Sequence, residues 1–190
     1  MITAREISFS LFGAWRLAHL DRSGMQYFDI SIAGFWRSFW AAVVVLPAYL
    51  ILVILRVAER PIAAGPARIA AIELIGYVIG WTAFPLASWY VVSALGRAER
   101  YLGYIVAYNW ANVLQVCLYV PVAVVGGSGL LPDAIAMLLG VAAIAAVLYY
   151  QYFIARTALD LDAVPAIGLV LMDMILGVLI SSTVDALEMR

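Results

Sequence analysis

Residues 38–57 have the sequence SFWAAVVVLPAYLILVILRV, and this stretch decides the fold because Arg56 is its one charged side chain. A helix needs about 20 mostly apolar residues to cross the hydrocarbon core of a membrane. Four later stretches are similarly long and apolar, at residues 70–95, 103–126, 132–154 and 164–185. The sequence therefore predicts an integral membrane protein with five transmembrane spans, and argues against a soluble helical bundle.

The composition supports the same class. The 190 residues are 66% hydrophobic and 12% charged, and the mean hydropathy is +1.02. A soluble domain is about half apolar and a quarter charged, and a soluble fold of this size could not cover so many apolar side chains. Lipid offers no partner to free backbone groups, and the continuous apolar runs lack the alternation of a barrel. The predicted fold is an all-α polytopic bundle of five transmembrane helices.

Residues 1–37 differ from the bundle predicted for residues 38–190. Thr3 and Glu6 have the spacing of a capping box, which predicts a helix that begins there. One face of that helix is apolar, with Ile7, Leu11, Ala14, Trp15 and Ala18. The pattern is typical of an amphipathic helix lying in the membrane interface. Two roles stay open, an anchor that packs under the bundle, which we favour, and a helix that docks a partner or senses the membrane.

Charge predicts the orientation. All eleven basic residues are Arg; seven precede or connect spans on the side of the N-terminus, and four lie on the other side. Because cytoplasmic loops carry the excess of basic residues, we expect a cytoplasmic N-terminus, an external C-terminus and location in the inner (cytoplasmic) membrane of a bacterium. The net charge of −1 gives no indication of the basic face that nucleic-acid binding usually needs, so no nucleic-acid partner is expected.

A polar cluster is predicted inside the membrane. Asp173 lies about nine residues into the fifth span, or roughly 13 Å deep, near the middle of a core about 30 Å thick. The third span carries polar side chains at steps of three or four residues, which place them on one face. These are Tyr101, Tyr104, Tyr108, Asn112, Gln115 and Tyr119, with Asn109 beside them. Asn112 matches Asp173 in depth, so we expect Asp173 to bond Asn112 or Gln115, directly or through water.

Two interpretations of this cluster remain open. An ionisable residue within a span raises a functional hypothesis by default, here a path for protons or a polar solute along spans three and five. The alternative, which we favour, is structural: hydrogen bonds between helices, each worth about 0.6 to 2 kcal/mol. Glu73, about one turn inside the second span, is a candidate second acidic site.

Small residues indicate where helices approach each other closely. Gly76 and Gly80 form a GxxxG motif in the second span. The predicted helix-packing positions are Gly76, Gly80, Ala83, Ala87, Gly177 and Ser181. The sequence leaves open whether these contacts form within one chain or between chains.

Sites for catalysis, cofactors or metals are not predicted. The sequence has no P-loop, GxSxG, HExxH or dinucleotide fingerprint. The single Cys117 and single His19 cannot build a Cys/His zinc site. Asp160 and Asp162 lack the surrounding oxygen ligands that a hard cation needs, and are interpreted as a helix cap. The expected partners are the lipid bilayer and either a second copy or another membrane protein, and the chain is not expected to be an enzyme.

The second span also carries a resemblance. The segment IGYVIGWTAFPL at residues 75–86 resembles the glycine-tyrosine then proline pattern of the Yip-domain family, Rab-interacting five-span membrane proteins with bacterial relatives. Five spans, an amphipathic N-terminus and a short external C-terminus are similar too, over about residues 36–185. The acidic-tyrosine signature of the eukaryotic members is not evident, so no functional residue is carried over. The resemblance implies a non-enzymatic membrane organiser.

Two functions therefore follow as hypotheses. The first is a non-catalytic integral membrane protein that acts through helix–helix or partner contacts, as an organiser or assembly factor. The alternative is a small transporter or channel for a polar solute, or one coupled to protons, that uses the Asp/Asn/Gln cluster. Transport predicts a water-accessible cavity that reaches Asp173, whereas an organiser predicts a dry core and an exposed face of small or aromatic residues.

Overall fold

Helices make up 87% of the structure, a computed structural model that describes residues 2–59 and 65–189. No strand occurs in those two ranges. The helices are α1 (Ala4–Ala18), α2 (Ile32–Ser38), α3 (Trp40–Glu59), α4 (Pro66–Ala94), α5 (Tyr101–Gly127), α6 (Asp133–Leu159) and α7 (Ala163–Glu188). Short 3-10 helices at Arg22–Tyr27 and Ala98–Arg100 complete them. Five segments are long and apolar enough to cross a membrane, with α2 and α3 together in the first, which confirms the prediction of five long apolar helical segments.

The helices extend beyond the apolar stretches that predict them. The largest difference is in α6, which ends at Leu159 and not near residue 154. Arg156 lies in its last turn and donates from Nε to the Leu161 carbonyl at 3.2 Å. The apolar part of a long basic side chain can pack on the bundle while its charged group reaches a polar region. Arg156 can therefore lie in the last turn of α6, beyond the end of the apolar stretch.

The N-terminal helix forms with the predicted cap, but its packed face is shifted. The Thr3 side chain accepts from the Glu6 amide, and the Glu6 side chain accepts from the Thr3 amide. Ser10, Ala14 and Leu17 are buried, whereas Trp15 is 55% exposed. Trp15 belongs to the apolar face of the sequence but lies outside this buried contact, in which Ser10 and Gly13 allow a close approach. Placement of α1 in the membrane interface stays a prediction.

The N-terminal segment packs against the bundle. Ala14, Leu17 and Phe28 belong to the same buried cluster as the core of α5. Tyr150 of α6 donates its hydroxyl to the Ala14 carbonyl at 2.7 Å. Trp110 of α5, only 2% exposed, lies in the cleft that Phe28 also lines.

Two local contacts shape this segment. A Cβ at Gly24 would lie 2.5 Å from the Gly13 carbonyl oxygen, so the 3-10 helix can only approach α1 with glycine there. Arg37 forms ion pairs with Asp29 and, at 3.2 Å, with Glu6. Hydrogen bonds from Ser31, with the nearby Arg37, hold the pKa of Asp29 below its usual range. The chain between α1 and α2 is thereby folded back onto α1.

Helix α5 lies at the centre of the bundle and packs on α1, α2, α3 and α6, whereas α4 pairs with α7. At Gly76 the α4–α7 contact is close, because a Cβ there would lie 2.6 Å from Val184 Cγ2. At Gly80 and Gly177 a Cβ would meet no heavy atom within 4 Å. The predicted packing role therefore holds for Gly76 and is wrong, within this chain, for Gly80 and Gly177.

The remaining predicted packing positions vary in burial. Ala83 and Ala87 are half-buried, and Ser181 is exposed on α7. The Ser181 hydroxyl donates to the Val178 carbonyl at 3.2 Å, within its own helix. None of these three small residues is fully buried, so open space remains next to them on α4 and α7.

We expect Gly76→Ala to lower the melting temperature in detergent and Gly80→Ala to keep or raise it. Both changes favour the helix by about 0.5–1 kcal/mol, but only the first adds a methyl group that collides with Val184. Overpacking of this kind costs about 1–3 kcal/mol. Thermal unfolding followed by circular dichroism measures both variants, and adding Val184→Ala should rescue Gly76→Ala. Equal melting temperatures for Gly76→Ala and Gly80→Ala would contradict the packing assignment.

Candidate functional site

Asp173 of α7 is bonded by side chains from two other helices. Its Oδ1 accepts from the Tyr108 hydroxyl of α5 at 2.7 Å, and its Oδ2 accepts from Gln151 Nε2 of α6 at 2.8 Å. Gln151 Nε2 also lies 3.4 Å from Gln115 Oε1. The expected direct bond from Asp173 to Asn112 or Gln115 was therefore wrong: Tyr108 and Gln151 make the bonds, and Gln115 is one step away.

The sequence did not predict Gln151 as a partner of Asp173, because the predicted fourth span ends five residues before α6 does. Gln151 lies eight residues before the end of α6, and Asp173 lies ten residues after the start of α7. Consecutive helices joined by a short loop run antiparallel, so these two counts measure depth from the same end of the bundle. From the predicted end of the fourth span at residue 154, Gln151 is only three residues deep, so the match with Asp173 appears only with the observed end of α6 at Leu159.

The polar face of α5 turns into the bundle along most of its length. Tyr101, Tyr104, Tyr108 and Gln115 are buried, and Asn112 is half-buried. Tyr101 donates its hydroxyl to the Pro85 carbonyl at 2.5 Å, so it satisfies an acceptor in α4. Tyr119 departs from the prediction, because it is 43% exposed and lines a groove between α3 and α5.

Asn109 belongs to a different contact. It is fully buried, and its Nδ2 donates to Ser38 Oγ at 2.8 Å. Ser38 Oγ in turn donates to the Phe35 carbonyl at 2.7 Å. Asn109 therefore joins α5 to the end of α2 and is not part of the group around Asp173.

A cavity of about 350 Å³ opens between α3, α4, α5 and α7. Tyr108, Asn112 and Asp173 line one end, and Arg56 lines the other. Small residues form much of the wall between these ends: Gly76, Gly80, Ala83, Gly177 and Ser181. The open space beside Gly80 and Gly177 is therefore this cavity, and its volume falls within the roughly 300–1,000 Å³ of ligand pockets.

Aromatic rings make up much of the remaining lining of the cavity. Tyr49 and Tyr77 have ring centroids 4.5 Å apart, and Phe84 and Tyr108 have centroids 4.6 Å apart. Trp81 lies next to Tyr77, with centroids 6.2 Å apart. All five side chains line the same cavity.

Glu73 is held in an ion cluster at the far end of the cavity. Arg56 Nη2 contacts Glu73 Oε1 and lies 3.8 Å from Glu188 Oε1, and Arg56 Nη1 lies 3.2 Å from Asp185 Oδ1. Tyr49 donates its hydroxyl to Glu73 Oε2. Glu73 and Glu188 are buried, so the second acidic candidate is an ion-paired carboxyl that does not extend to the surface.

The ion cluster joins three helices through one guanidinium. Arg56 belongs to α3, Glu73 to α4, and Asp185 and Glu188 to α7. Asp185 lies twelve residues beyond Asp173 on α7, which corresponds to about 18 Å along the helix. Within the described residues there is no group of three or more His, Cys, Asp or Glu side chains that could hold a metal ion.

Comparison with known proteins gives no family assignment. No protein-family model, no curated protein and no solved structure matches this chain. The resemblance to the Yip-domain family therefore stays a prediction from the sequence.

We expect Arg56→Gln to destabilise the bundle much more than Arg68→Gln. Removing one partner of a buried ion pair costs about 3–5 kcal/mol, and the partial exposure of Arg56 puts the expected loss at the lower end of that range. Arg68 is exposed and donates to the Leu187 carbonyl at 3.1 Å, so its loss leaves no buried carboxyl without a counter-charge. Thermal unfolding in detergent measures both.

A second substitution separates the ion pair from a general effect of the lost arginine. Adding Glu73→Gln to Arg56→Gln removes one of the unpaired carboxyls and should recover part of the stability. Equal unfolding of Arg56→Gln and Arg68→Gln would show that the cluster contributes nothing to stability.

Proposed function

We propose that this chain is a small membrane transporter or channel that passes a polar solute through the cavity ending at Asp173. The observation that supports it is the cavity itself, which brings Asp173, Asn112 and Tyr108 to one open space. The organiser hypothesis predicted a dry core at this place. The transport hypothesis predicted a space that reaches Asp173, and the geometry favours it.

Hydrogen bonding between helices accounts for only part of this arrangement. The bonds from Tyr108 and Gln151 to Asp173 would hold α5, α6 and α7 together without any cavity. The space beside Gly80 and Gly177 lies outside these bonds: both glycines are exposed, and a Cβ at either would meet no heavy atom within 4 Å. In the proposal, this open space holds the solute.

A route to the cavity follows from a second space. A groove of about 510 Å³ lies between α3 and α5 and extends to Gly127 and Ser128 at the end of α5. Tyr49 and Arg56 line both this groove and the cavity. In the proposal, the solute moves between the two spaces past these side chains. In the orientation that the arginines predict, the groove is on the external side.

The organiser hypothesis is the second candidate, and one observation favours it. Phe9, Phe12 and Trp15 of α1 are about half exposed and leave an aromatic surface on the outside of the bundle. Arg5 lies 5.3 Å from the Phe9 ring centroid, and Arg16 lies 5.9 Å from that of Phe12. A surface of rings and arginines suits the headgroup region of a membrane as well as a protein partner, so it favours a partner less specifically than the cavity favours a solute.

The proposal predicts that water-soluble reagents reach the floor of the cavity. Asn112→Cys in a Cys117→Ala background should react with a charged, membrane-impermeant thiol reagent in reconstituted vesicles, because Asn112 lines the cavity beside Asp173. The natural chain is the matched control, since its single Cys117 is exposed on the outside of α5 within a predicted span. In lipid, Cys117 should stay unmodified by the same reagent.

Protection of Asn112→Cys as complete as that of Cys117 would overturn the proposal, because a space without water cannot pass a polar solute. Reaction of both cysteines would show that the reagent crosses or disrupts the membrane. The assay would then be repeated with a larger reagent that leaves Cys117 unlabelled. Mass spectrometry of the intact protein measures the labelled fraction in each case.

A further inference from the structure

We propose that the solute of this cavity is a small organic cation with an alkylated ammonium group, bound between aromatic rings with Asp173 as its counter-charge. This inference rests on the proposed function and specifies the chemical class of the solute. It comes from three features of the cavity: the charge of its lining, the bonding of its tyrosine hydroxyl groups and the composition of its walls.

The charge of the lining favours a cation. Asp173 accepts from a phenol and an amide, which are both neutral donors. Among the described residues that line the cavity, Arg56 is the one cation, and it contacts Glu73, Asp185 and Glu188 at the opposite end. Among the described lining residues, Asp173 is therefore the one carboxyl, and no cation lies at its end of the cavity. In the proposal, a cationic solute supplies the counter-charge that the ionised carboxyl lacks there.

The three tyrosine hydroxyl groups of the cavity are bonded to acceptors of the protein. Tyr49 donates to Glu73, Tyr77 donates to the Ala42 carbonyl at 2.6 Å, and Tyr108 donates to Asp173. Each phenol proton is therefore used by an acceptor of the protein. The phenols therefore offer no free donor to an anion, and the donors that remain in the lining are the Asn112 amide and the Trp81 indole. The half-buried rings of Tyr49, Tyr77 and Trp81 and the Asp173 carboxyl are the groups that a cation would meet.

The walls favour an organic cation over a metal ion. Five rings line the cavity: Tyr49, Tyr77, Trp81, Phe84 and Tyr108. The faces of such rings attract ammonium groups, and cages of aromatic residues recognise alkylated ammonium ligands. Hard metal ions need six or more oxygen ligands, and the one carboxyl at this end of the cavity does not provide them. The volume of about 350 Å³ is at the small end of ligand pockets, so the ligand is small.

The test compares three compounds of nearly the same shape. Choline carries a quaternary ammonium, 3,3-dimethylbutan-1-ol replaces that nitrogen by carbon and is neutral, and 3,3-dimethylbutanoate is an anion. Isothermal titration calorimetry on the full chain in detergent measures the three dissociation constants. We expect choline to bind at least ten times more tightly than the alcohol, and the anion to bind more weakly than either.

Variants then locate the binding. Asp173→Asn should weaken choline binding at least tenfold and leave the alcohol unchanged, and Trp81→Leu should weaken choline severalfold. Asp133→Asn is the matched control, because it removes the same charge from an exposed position in the first turn of α6, outside the cavity. If Asp173→Asn does not fold, the comparison of choline with the alcohol on the natural chain still decides the question.

The outcomes separate this inference from the proposed function. Equal binding of choline and the alcohol, together with labelling of Asn112→Cys, would overturn the cationic solute and leave a water-filled cavity for another solute. Equal weakening of choline binding by Asp133→Asn and Asp173→Asn would also overturn it. Failure of Asn112→Cys to react would overturn both proposals at once.

Discussion

A carboxyl group surrounded by hydrocarbon must find its hydrogen-bond partners inside the protein, and the bundle is organised around this requirement at Asp173. Tyr108 and Gln151 bring α5 and α6 to the two oxygens of a carboxyl on α7. Each donor belongs to a different helix, so the bonds fix the relative depth of three spans. The same bonds leave the side of Asp173 that faces α3 and α4 next to an open space. The structural role and the proposed functional role of Asp173 therefore do not compete.

The small residues of α4 and α7 serve two purposes at different depths. At Gly76 the absence of a side chain allows Val184 to approach, which is the ordinary use of glycine between membrane helices. One turn further on, at Gly80, the same absence leaves room for a cavity. In this GxxxG motif, α4 and α7 are therefore in close contact at the first glycine and are separated by the cavity at the second. The aromatic residues of α3, α4 and α5 line the space so formed.

Much of the architecture could be predicted because it depends on local properties of the chain. Hydropathy and length locate the five spans, and residues three or four apart on α5 share a face wherever that helix lies. The partners of Asp173 depend on how the helices pack around one another. The spacing of residues within a single helix gives no information about that packing. For this reason Tyr108 was named with the cluster but Gln151 was not, and Asn109 was assigned to the wrong contact. Gly80, which makes no close contact within this chain, was predicted as a packing position for a similar reason, since a small residue looks the same in a sequence whether a helix or an open space lies beside it.

The cover of Trp110 by the N-terminal segment has a practical consequence. The indole lies in the cleft beside Phe28, and it stays buried only while the turn that contains Gly24 rests against Gly13. Any residue with a side chain at either glycine would lift this turn and admit solvent or lipid to the indole. In a variant that keeps only Trp110 of the six tryptophans, the emission wavelength would therefore register whether the first thirty residues are packed on the bundle.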